Sequence, residues 1–236
     1  MNAIILAGGK GARLQPWHAP KTLLPINGVT ILERLLQHLL CHPEAVVDRA
    51  IVCTGYRAAD IAASVEAHGW MEDQVAFSDA GEAAPMGERL LLARKRIDGG
   101  RVVVCYGDEL ADVDMAALLG SHVEGKATVT VVAAISKTLG GTIENEHSAF
   151  GIRIVDDKAH LLNIGYAVIE PEGWEHMKPE DGLSDFINRV ADSARLEPEG
   201  PTGRLSSRRV RIFYHQGKRA TVNSLADLAC AEEMWR

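Results

Sequence analysis

The sequence lacks the features that would place the protein in a membrane or on nucleic acid. None of its apolar runs approaches the ~18 residues of a membrane-spanning helix, and its start reads as a strand and not as a signal peptide. The 236 residues carry a formal net charge of −7. No long block of one sign occurs, which disfavours nucleic acid and anionic membranes as main partners. We therefore expect a cytoplasmic protein that binds small molecules.

Cysteine is scarce and is not arranged for cross-linking or metal binding. The four cysteines form no C-x-x-C pair and no Cys/His metal spacing: Cys41, Cys53, Cys105 and Cys230. Two of them, Cys53 and Cys105, lie in apolar, strand-like runs, where a buried free thiol is the usual arrangement. The pattern predicts free thiols in a reducing cytoplasm.

Short apolar runs alternate with amphipathic segments in the first part of the chain. Runs such as 49–56 and 100–110 predict strands, and the leucines of 31–40 recur at helical spacing. Strands that are apolar on both faces and joined by helices indicate a parallel sheet covered on both sides. We therefore predict an α/β protein with a doubly wound, mostly parallel sheet, whose functional groups lie beyond the carboxyl ends of its strands.

The pattern changes after about residue 140. The stretches FGIRIVDD and LLNIGYAVIEPE predict adjacent strands joined as a hairpin, and NSLADLACAEEMW predicts a terminal helix with Asn223 or Ser224 near its N-cap. No internal repeat or low-complexity tract is evident in the sequence. We predict a single domain over residues 1–236 with a C-terminal antiparallel elaboration, and a homo-oligomer stays open.

The stretch AIILAGGKGARLQPWHAPKTLLPI, residues 3–26, ends an apolar run in a glycine loop followed by cations. Its spacing fits neither the P-loop nor the dinucleotide fingerprint, because Leu14 stands where the third glycine of G-x-G-x-x-G belongs. Glycines let backbone N–H groups approach a phosphate closely. Arg13 offers a guanidinium fork and Lys21 a mobile point charge. The order of these residues favours an anion site over a turn with solvated charges.

The same segment resembles the signature G-G-x-G-x-R-L-x-P…P-K-x-L-x-P of sugar-1-phosphate nucleotidylyltransferases. The glucose-1-phosphate cytidylyltransferase branch is the most similar, and three further stretches share the resemblance: DAGEAAPMGERL (79–90), CYGDELADVDM (105–115) and YHQGKRATVNSLADLACAEEMW (214–235). The match is weakest between about 137 and 162. The resemblance implies a Rossmann-like nucleotidyltransferase fold, with a nucleotide-binding core over about 1–136 and an acceptor-binding part over about 137–236.

The resemblance also implies a reaction. A Mg²⁺-dependent enzyme would transfer a nucleoside monophosphate from a triphosphate to a sugar 1-phosphate and release pyrophosphate. Arg13 and Lys21 would be its catalytic cations, and the nucleotide would be bound by Leu6, Ala7, Gly8, Gly9, Gly11, Ala12, Gly87 and Arg89. The last two match residues that approach the base in the cytidylyltransferase branch, which favours CTP and leaves UTP, dTTP and GTP open. Their alternatives are a helix N-cap for Gly87 and a solvated helix charge for Arg89.

The metal and acceptor residues come from the same resemblance, with two departures. Asp108 would hold Mg²⁺, its alternative being a turn-forming aspartate. Asn223 stands where the family has a second aspartate, so the metal site has one charge less. The family's E-K-P lysine is absent, and Lys158, Lys218 or Arg219 would have to replace it. The implied acceptor-binding residues are Asn163, Gly165, His215, Lys218 and Arg219.

Two rival hypotheses stay open at this stage. One is the same reaction with a small non-sugar phosphate or phosphonate as the acceptor. The other is a non-catalytic homologue that senses a nucleotide or nucleotide sugar, which Asn223 and the missing E-K-P segment favour. The presence of Arg13, Lys21 and Asp108 favours an enzyme.

Overall fold

The computed structural model describes residues 1–10, 19–41, 46–137, 159–195 and 210–236. The predicted strand FGIRIVDD and the predicted site residues Gly11, Ala12, Arg13 and Lys158 lie outside these ranges. The strands are β1 (Asn2–Leu6), β2 (Pro25–Ile26), β3 (Val29–Thr30), β4 (Arg49–Thr54), β5 (Val75–Asp79), β6 (Val102–Tyr106), β7 (Glu109–Ala111), β8 (Val129–Lys137), β9 (Ala159–Ile169), β10 (Val210–His215) and β11 (Arg219–Thr221). The α-helices are α1 (Ile31–Leu40), α2 (Ala58–Ala67), α3 (Met86–Arg94), α4 (Met115–Gly125), α5 (Leu183–Arg195) and α6 (Leu225–Met234).

Seven strands form one sheet in the order β10-β8-β9-β6-β1-β4-β5. Strands β6, β1, β4 and β5 pair in parallel, and β10 pairs in parallel with β8. Strand β9 is antiparallel to both of its neighbours, β6 and β8. The mostly parallel α/β sheet is therefore confirmed, and its antiparallel part is built into the main sheet.

Helices cover the sheet on both faces, as the apolar strands predict. On one face α1 buries Leu32, Leu35, Leu36 and Leu39, the stripe that its helical spacing predicts. On the other face α5 buries Phe186, Ile187 and Val190 beside Leu90 of α3. Each such side chain contributes roughly 1.5–3 kcal/mol when it leaves water. The core therefore holds the strands, and the functional groups lie at their ends.

Local signals fix where several helices begin. The Thr30 side chain accepts a hydrogen bond from the Glu33 amide at the start of α1, and Asp114 accepts one from Ala117 at the start of α4. Ser224 caps α6, so the predicted N-cap falls on the second of its two candidates. The predicted buried free thiols are present, and burial raises the pKa of Cys53 to about 12.

The strand order creates one edge suited to a ligand. Strands β1, β4, β5 and β6 run parallel, so their carboxyl ends meet there, and the direction of winding reverses between β1 and β6. Such a reversal opens a crevice at the carboxyl ends of the strands, where α/β proteins bind their ligands. Gly8 follows β1 and Asp108 follows β6, on the two sides of this crevice. Among the described residues, no helix is long and apolar enough to cross a membrane.

Candidate active site

Lys21 joins the two predicted metal ligands. It opens a short 3₁₀ helix, Lys21–Leu23, directly after Pro20. Its Nζ donates to Asp108 Oδ2 at 2.6 Å and to Asn223 Oδ1 at 2.8 Å, although these residues lie 87 and 202 positions away in the chain. The Lys21 side chain is only 11% exposed. The structure thus brings one predicted catalytic residue and both predicted metal ligands to one point.

A small second sheet holds Asp108 and Asn223 together. Asp108 immediately precedes β7, Asn223 follows β11, and these two strands pair antiparallel. The Val222 amide donates to the Asp108 carbonyl at 3.1 Å, which ties the ends of the strands directly. Gly107 is required before Asp108, because a Cβ there would lie 2.6 Å from the Leu6 carbonyl oxygen of β1. The turn can therefore approach β1 only as glycine.

The donor set of this site fits a hard divalent cation. Asp108 Oδ2 and Asn223 Oδ1 both lie within hydrogen-bonding distance of one nitrogen atom, so the two oxygens converge on a single cationic position. Magnesium is usually held in proteins by one or two side-chain oxygens, with waters and substrate phosphates completing its shell. Asn223 contributes an oxygen without a charge, so Asp108 supplies the negative charge of the pair.

The glycine loop begins at the end of β1, where Leu6 is half-buried and Ala7 is buried. Gly8 has no room for a side chain, because a Cβ would lie 2.1 Å from Arg89 Nη1 and 2.8 Å from the Thr54 carbonyl oxygen. Gly9 is exposed at the mouth of the crevice and has open space around its Cα. Gly11, Ala12 and Arg13 lie outside the described residues, so their part in the phosphate loop stays a prediction.

Arg89 is buried beneath this loop and bonds to backbone carbonyls. Its guanidinium donates from Nη1 to Thr54 at 2.5 Å, from Nε to Ala84 at 3.0 Å and from Nη2 to Glu82 at 3.1 Å. The residue is 8% exposed, so the alternative prediction of a solvated helix charge is wrong. It ties α3 to the segments that follow β4 and β5. Whether it also touches a base stays a prediction.

Gly87 is held by a neighbouring segment and is not the N-cap of its helix. Pro85 precedes the first helical residue of α3, and Gly87 is the second. The Gly87 amide donates to the Asp181 carbonyl at 2.9 Å, and a Cβ at Gly87 would lie 2.1 Å from the Lys178 carbonyl oxygen. This amide is therefore already engaged, and its glycine is explained by close packing.

An ion pair spans the opening between the glycine loop and the segment after β5. The Lys10 ammonium contacts a carboxylate oxygen of Glu82, and both side chains are largely exposed. Glu82 raises the pKa of Lys10 through this contact. Because the Glu82 carbonyl also accepts from Arg89, the pair links the glycine loop to the buried guanidinium.

The predicted acceptor residues divide between a cleft and other positions. A cleft of about 420 Å³ beyond β8 and β10 is lined by Ala134, Ile135, Tyr214, His215, Gln216, Gly217 and Arg219. His215 Nε2 lies 3.1 Å from the Lys218 carbonyl oxygen and 3.3 Å from Asp112 Oδ1. The Lys218 ammonium instead donates to the Met234 carbonyl at the end of α6, at 3.0 Å. Arg219 is thus the cation on the described wall of the cleft, and Lys158 lies outside the described residues.

Asn163 and Gly165 shape β9 beside Tyr106. The Asn163 side-chain oxygen accepts from the Gly165 amide at 2.9 Å. Gly165 has a φ of +73°, and a Cβ there would lie 2.7 Å from Cγ of Tyr106. Both features require glycine at this position. The Tyr106 ring packs against this bend, and burial raises the pKa of its hydroxyl to about 12.

Sequence reasoning missed a buried carboxyl group beside the site. Glu109 is 7% exposed, and its Oε1 accepts a hydrogen bond from Thr221 Oγ1 at 2.5 Å. Burial raises the pKa of Glu109 to about 7. The two residues lie 112 positions apart, so no local spacing reveals the contact. The one available signal is an acidic residue inside the short run that follows YGD.

Comparison with known proteins identifies the family. Residues 3–189 match the MobA-like NTP transferase domain. A Bacillus subtilis protein named Probable glucose-1-phosphate cytidylyltransferase is 24% identical over 260 residues, covering 100% of this chain and 96% of the relative. Bifunctional protein GlmU of Methanococcus aeolicus is 25% identical over 194 residues, covering 81% of this chain. The chain matches only 41% of that relative's length.

Solved structures give the same fold. The inositol-1-phosphate CTP transferase from T. maritima superposes with a TM-score of 0.70 at 14% identity, covering 99% of this chain and 94% of that one. At this identity the likeness establishes the architecture alone. The family match extends over both sides of the crevice described above, from β1 into α5.

Proposed function

The chain belongs to the MobA-like NTP transferase domain family, and from this premise we propose that it is a Mg²⁺-dependent nucleotidylyltransferase. It transfers a nucleoside monophosphate, with CMP from CTP as the first choice, to a sugar 1-phosphate and releases pyrophosphate. The observation that carries the proposal is the convergence of Lys21, Asp108 and Asn223 at the carboxyl edge of the sheet. The name of the relative called Probable glucose-1-phosphate cytidylyltransferase supports both the acceptor class and CTP.

The reaction needs cations more than it needs a base. An oxygen of the acceptor phosphate attacks the α-phosphorus in line, and the bond from that phosphorus to the pyrophosphate oxygen breaks. A phosphomonoester with a second pKa of ~6 is already largely a dianion at pH 7, so no side chain has to remove a proton. The protein must hold two anions together and stabilise the charge that develops in the transition state.

Lys21 and its partners meet this need. Asp108 and Asn223 would hold Mg²⁺, which when bound neutralises phosphate charge and favours departure of pyrophosphate. Lys21 carries a compact charge on a flexible stem that starts at the crevice floor, so its ammonium can exchange carboxylate and amide oxygens for phosphate oxygens. Backbone amides of the glycine loop, from Gly8 onward, orient the triphosphate.

The acceptor is best accommodated by the cleft beyond β8 and β10. Its volume of about 420 Å³ lies in the range of roughly 300–1,000 Å³ that small-molecule sites occupy. Arg219 lines this cleft. Its guanidinium interacts electrostatically with the Glu109 carboxyl but makes no hydrogen bond or ion pair with the described residues, so it can bind a phosphate. We therefore assign Arg219 the task of the absent E-K-P lysine. Gln216 and His215 offer polar contacts for hydroxyl groups.

The test is pyrophosphate release with Mg²⁺ in a matrix of nucleotides and acceptors. CTP, UTP, dTTP, GTP and ATP are crossed with sugar 1-phosphates, small phosphomonoesters and phosphonates. We expect pyrophosphate release with one pair of substrates. Lys21→Met should lower the rate with that pair at least about 100-fold, because a charge at the transition state is removed. Lys95→Met, at the exposed C-cap of α3, should leave the rate unchanged. Nucleotide binding without turnover by any pair would favour the sensing alternative, and absence of nucleotide binding would overturn the proposal.

A further inference from the structure

The two residues that converge on Lys21 are carried by very short strands. β7 and β11 have three residues each, and Asp108 and Asn223 lie just outside their ends. A two-stranded sheet of this length is not stable by itself and needs additional contacts to keep its geometry. The separation of Asp108 Oδ2 and Asn223 Oδ1 therefore depends on whatever ties β7 to β11.

A side-chain hydrogen bond links the two strands at the end nearest the site. Glu109 and Thr221 are directly opposite each other in the antiparallel register. Thr221 Oγ1 donates to Glu109 Oε1 at 2.5 Å. Directly opposed residues of this kind form the contacts that hold a sheet pair in register. Asp108 is the chain neighbour of Glu109, and Asn223 is two residues beyond Thr221, so this link lies between the backbone segments of both ligands.

Packing alone does not explain a carboxyl group at this position. Glu109 is 7% exposed, and its second oxygen, Oε2, is buried with no hydrogen-bond partner among the described residues. Burying a carboxyl group that is only partly satisfied costs free energy that an apolar side chain would not. Its carboxyl also interacts electrostatically with Asp108, Arg219 and Lys21. Because burying the Glu109 carboxyl costs free energy and the group lies among site residues, we infer that it has a role in the site.

We propose that Glu109 and Thr221 are positioning residues, whose hydrogen bond fixes the separation of Asp108 and Asn223 and thereby the affinity of the site for the cation–nucleotide complex. This inference rests on the proposed function for its cation and nucleotide. Neither residue is assigned a contact with substrate. The link acts through the two ligand-bearing segments, so its loss should weaken cation binding more than it weakens the fold.

Four variants separate the hydrogen bond from charge and from packing. Thr221→Val removes the donor and keeps the branched shape, whereas Thr221→Ser keeps the hydroxyl. Glu109→Met removes the acceptor, whereas Glu109→Gln keeps an acceptor oxygen without the charge. Glu33→Met is the matched control, because Glu33 is a buried carboxyl that accepts from Gln37 and Trp70 away from the site.

The first measurement is Mn²⁺ binding to the full chain in the presence of CTP, followed by electron paramagnetic resonance. We expect Thr221→Val and Glu109→Met to raise the Mn²⁺ dissociation constant at least about fivefold. Thr221→Ser, Glu109→Gln and Glu33→Met should stay within twofold of the unmodified chain. Equal binding by all variants would overturn the proposal, and so would a Glu109→Gln loss as large as that of Glu109→Met, since charge and not the link would then matter.

A second measurement does not depend on the proposed function. The Val222 amide, which donates to the Asp108 carbonyl at 3.1 Å, reports on the junction by hydrogen exchange. We expect it to exchange at least about fivefold faster in Thr221→Val than in Thr221→Ser, with the Ile5 amide of β1 unchanged. If the unmodified chain binds no Mn²⁺ in the presence of nucleotide, the proposed function fails, and the Val222 exchange rate alone tests the positioning role. Equal Val222 exchange rates in Thr221→Val and Thr221→Ser would refute the positioning role.

Discussion

Asn223 is one of the two points at which this chain departs from the family pattern that it resembles. Its side-chain oxygen accepts a hydrogen bond from Lys21 Nζ at 2.8 Å and carries no charge, where the resemblance implies a charged metal ligand. Asp108, whose side chain is 34% exposed, is therefore the carboxylate that pairs with the Lys21 ammonium in the part of the chain that the structure describes. The net charge of the side chains around Lys21 should therefore set the Mg²⁺ concentration that the reaction requires.

Replacing Asn223 with aspartate tests this directly. The Asn223→Asp variant places a second carboxylate against the cation position, and oppositely charged groups a few ångströms apart attract by several kcal/mol at an effective dielectric constant of about 20. We expect the Mg²⁺ concentration for half-maximal pyrophosphate release to fall roughly three- to tenfold, allowing for screening by solvent. The measurement is a Mg²⁺ titration at saturating nucleotide and acceptor.

Asn188→Asp on α5 is the matched control, since it makes the same chemical change away from the crevice. It should leave the Mg²⁺ dependence unchanged. An Asn223→Asp titration identical to that of the unmodified chain would remove Asn223 from the metal site and would leave Asp108 as the one ligand proposed for it.

At the scale of elements, Arg89 holds three segments together beside the crevice: α3, the end of β4 and the segment after β5. Its three hydrogen bonds fasten α3 to the ends of β4 and β5, and Gly8 and Gly55 make room for the guanidinium. A Cβ at Gly55 would lie 2.4 Å from Arg89 Nη1. This edge of the crevice is thus built around one buried charge and two glycines.

The Arg89→Lys variant keeps the charge and removes the planar fork. A lysine ammonium cannot reach three carbonyls with the same geometry, and each buried carbonyl left without a donor costs about 1–3 kcal/mol. We expect a loss of about 2 kcal/mol or more in unfolding free energy, and a rise of several-fold in the KM for nucleotide. Urea unfolding and steady-state kinetics measure the two effects.

Arg96→Lys, at an exposed position just beyond α3, is the control and should change neither quantity. If Arg89→Lys lowered stability while the KM for nucleotide stayed constant, Arg89 would brace the fold without shaping the nucleotide crevice. If neither changed, the bonds to Thr54, Ala84 and Glu82 would carry no weight in either role.

Individual strands and helices could be predicted from the sequence, whereas their arrangement in the sheet could not. Apolar runs predict β1, β4, β5 and β6, and helical spacing predicts α1, because these signals lie within a few neighbouring residues. The place of β9 between β6 and β8 depends on pairing across the whole chain. Arg89 reads as a surface charge in its helix, since its partners, Thr54 among them, lie in other segments.

The site divides in the same way. The glycine loop and Lys21 are predicted by a contiguous signature and Asp108 by the separate stretch 105–115, and the family match confirms the enzyme class. The structure brings Lys21, Asp108 and Asn223 together as that resemblance implies. The Glu109–Thr221 link and the engagement of Lys218 at α6 are contacts between distant segments, and no spacing in the sequence encodes them.

At the scale of the whole molecule, a buried polar network lies at the edge opposite the active site. His122 of α4 is 1% exposed, with Nδ1 2.8 Å from Thr130 Oγ1 and Nε2 3.0 Å from Glu170 Oε1. Arg101 also contacts this carboxylate, at 2.8 Å. These groups lie where β6 and β8 begin and where β9 ends, so they join three strands away from the crevice.

This network predicts how global stability depends on pH. Burial lowers the pKa of His122, and Arg101 lowers it further, although Glu170 and Glu172 oppose the shift. In the unfolded chain the imidazole titrates at about 6.5, so between the two values the unfolded state binds more protons than the folded state. The contribution of His122 to stability is therefore present above about pH 6.5 and is lost as the pH falls below it, by at most about 1.4 kcal/mol per pH unit.

We expect the difference in unfolding free energy between the unmodified chain and His122→Gln to shrink as the pH falls from 7.5 to 5.5. Urea denaturation at each pH, with constant m-values, measures this difference. Met71→Gln, at an exposed position without an ionisable group, is the control and should give a difference that is independent of pH. A constant difference for His122→Gln would mean that Glu170 offsets burial and that protonation is tolerated in the folded state.

Because the network and the crevice occupy opposite edges, the Mn²⁺ affinity of the folded chain should be the same in His122→Gln as in the unmodified protein. The two edges can therefore be tested separately by experiment.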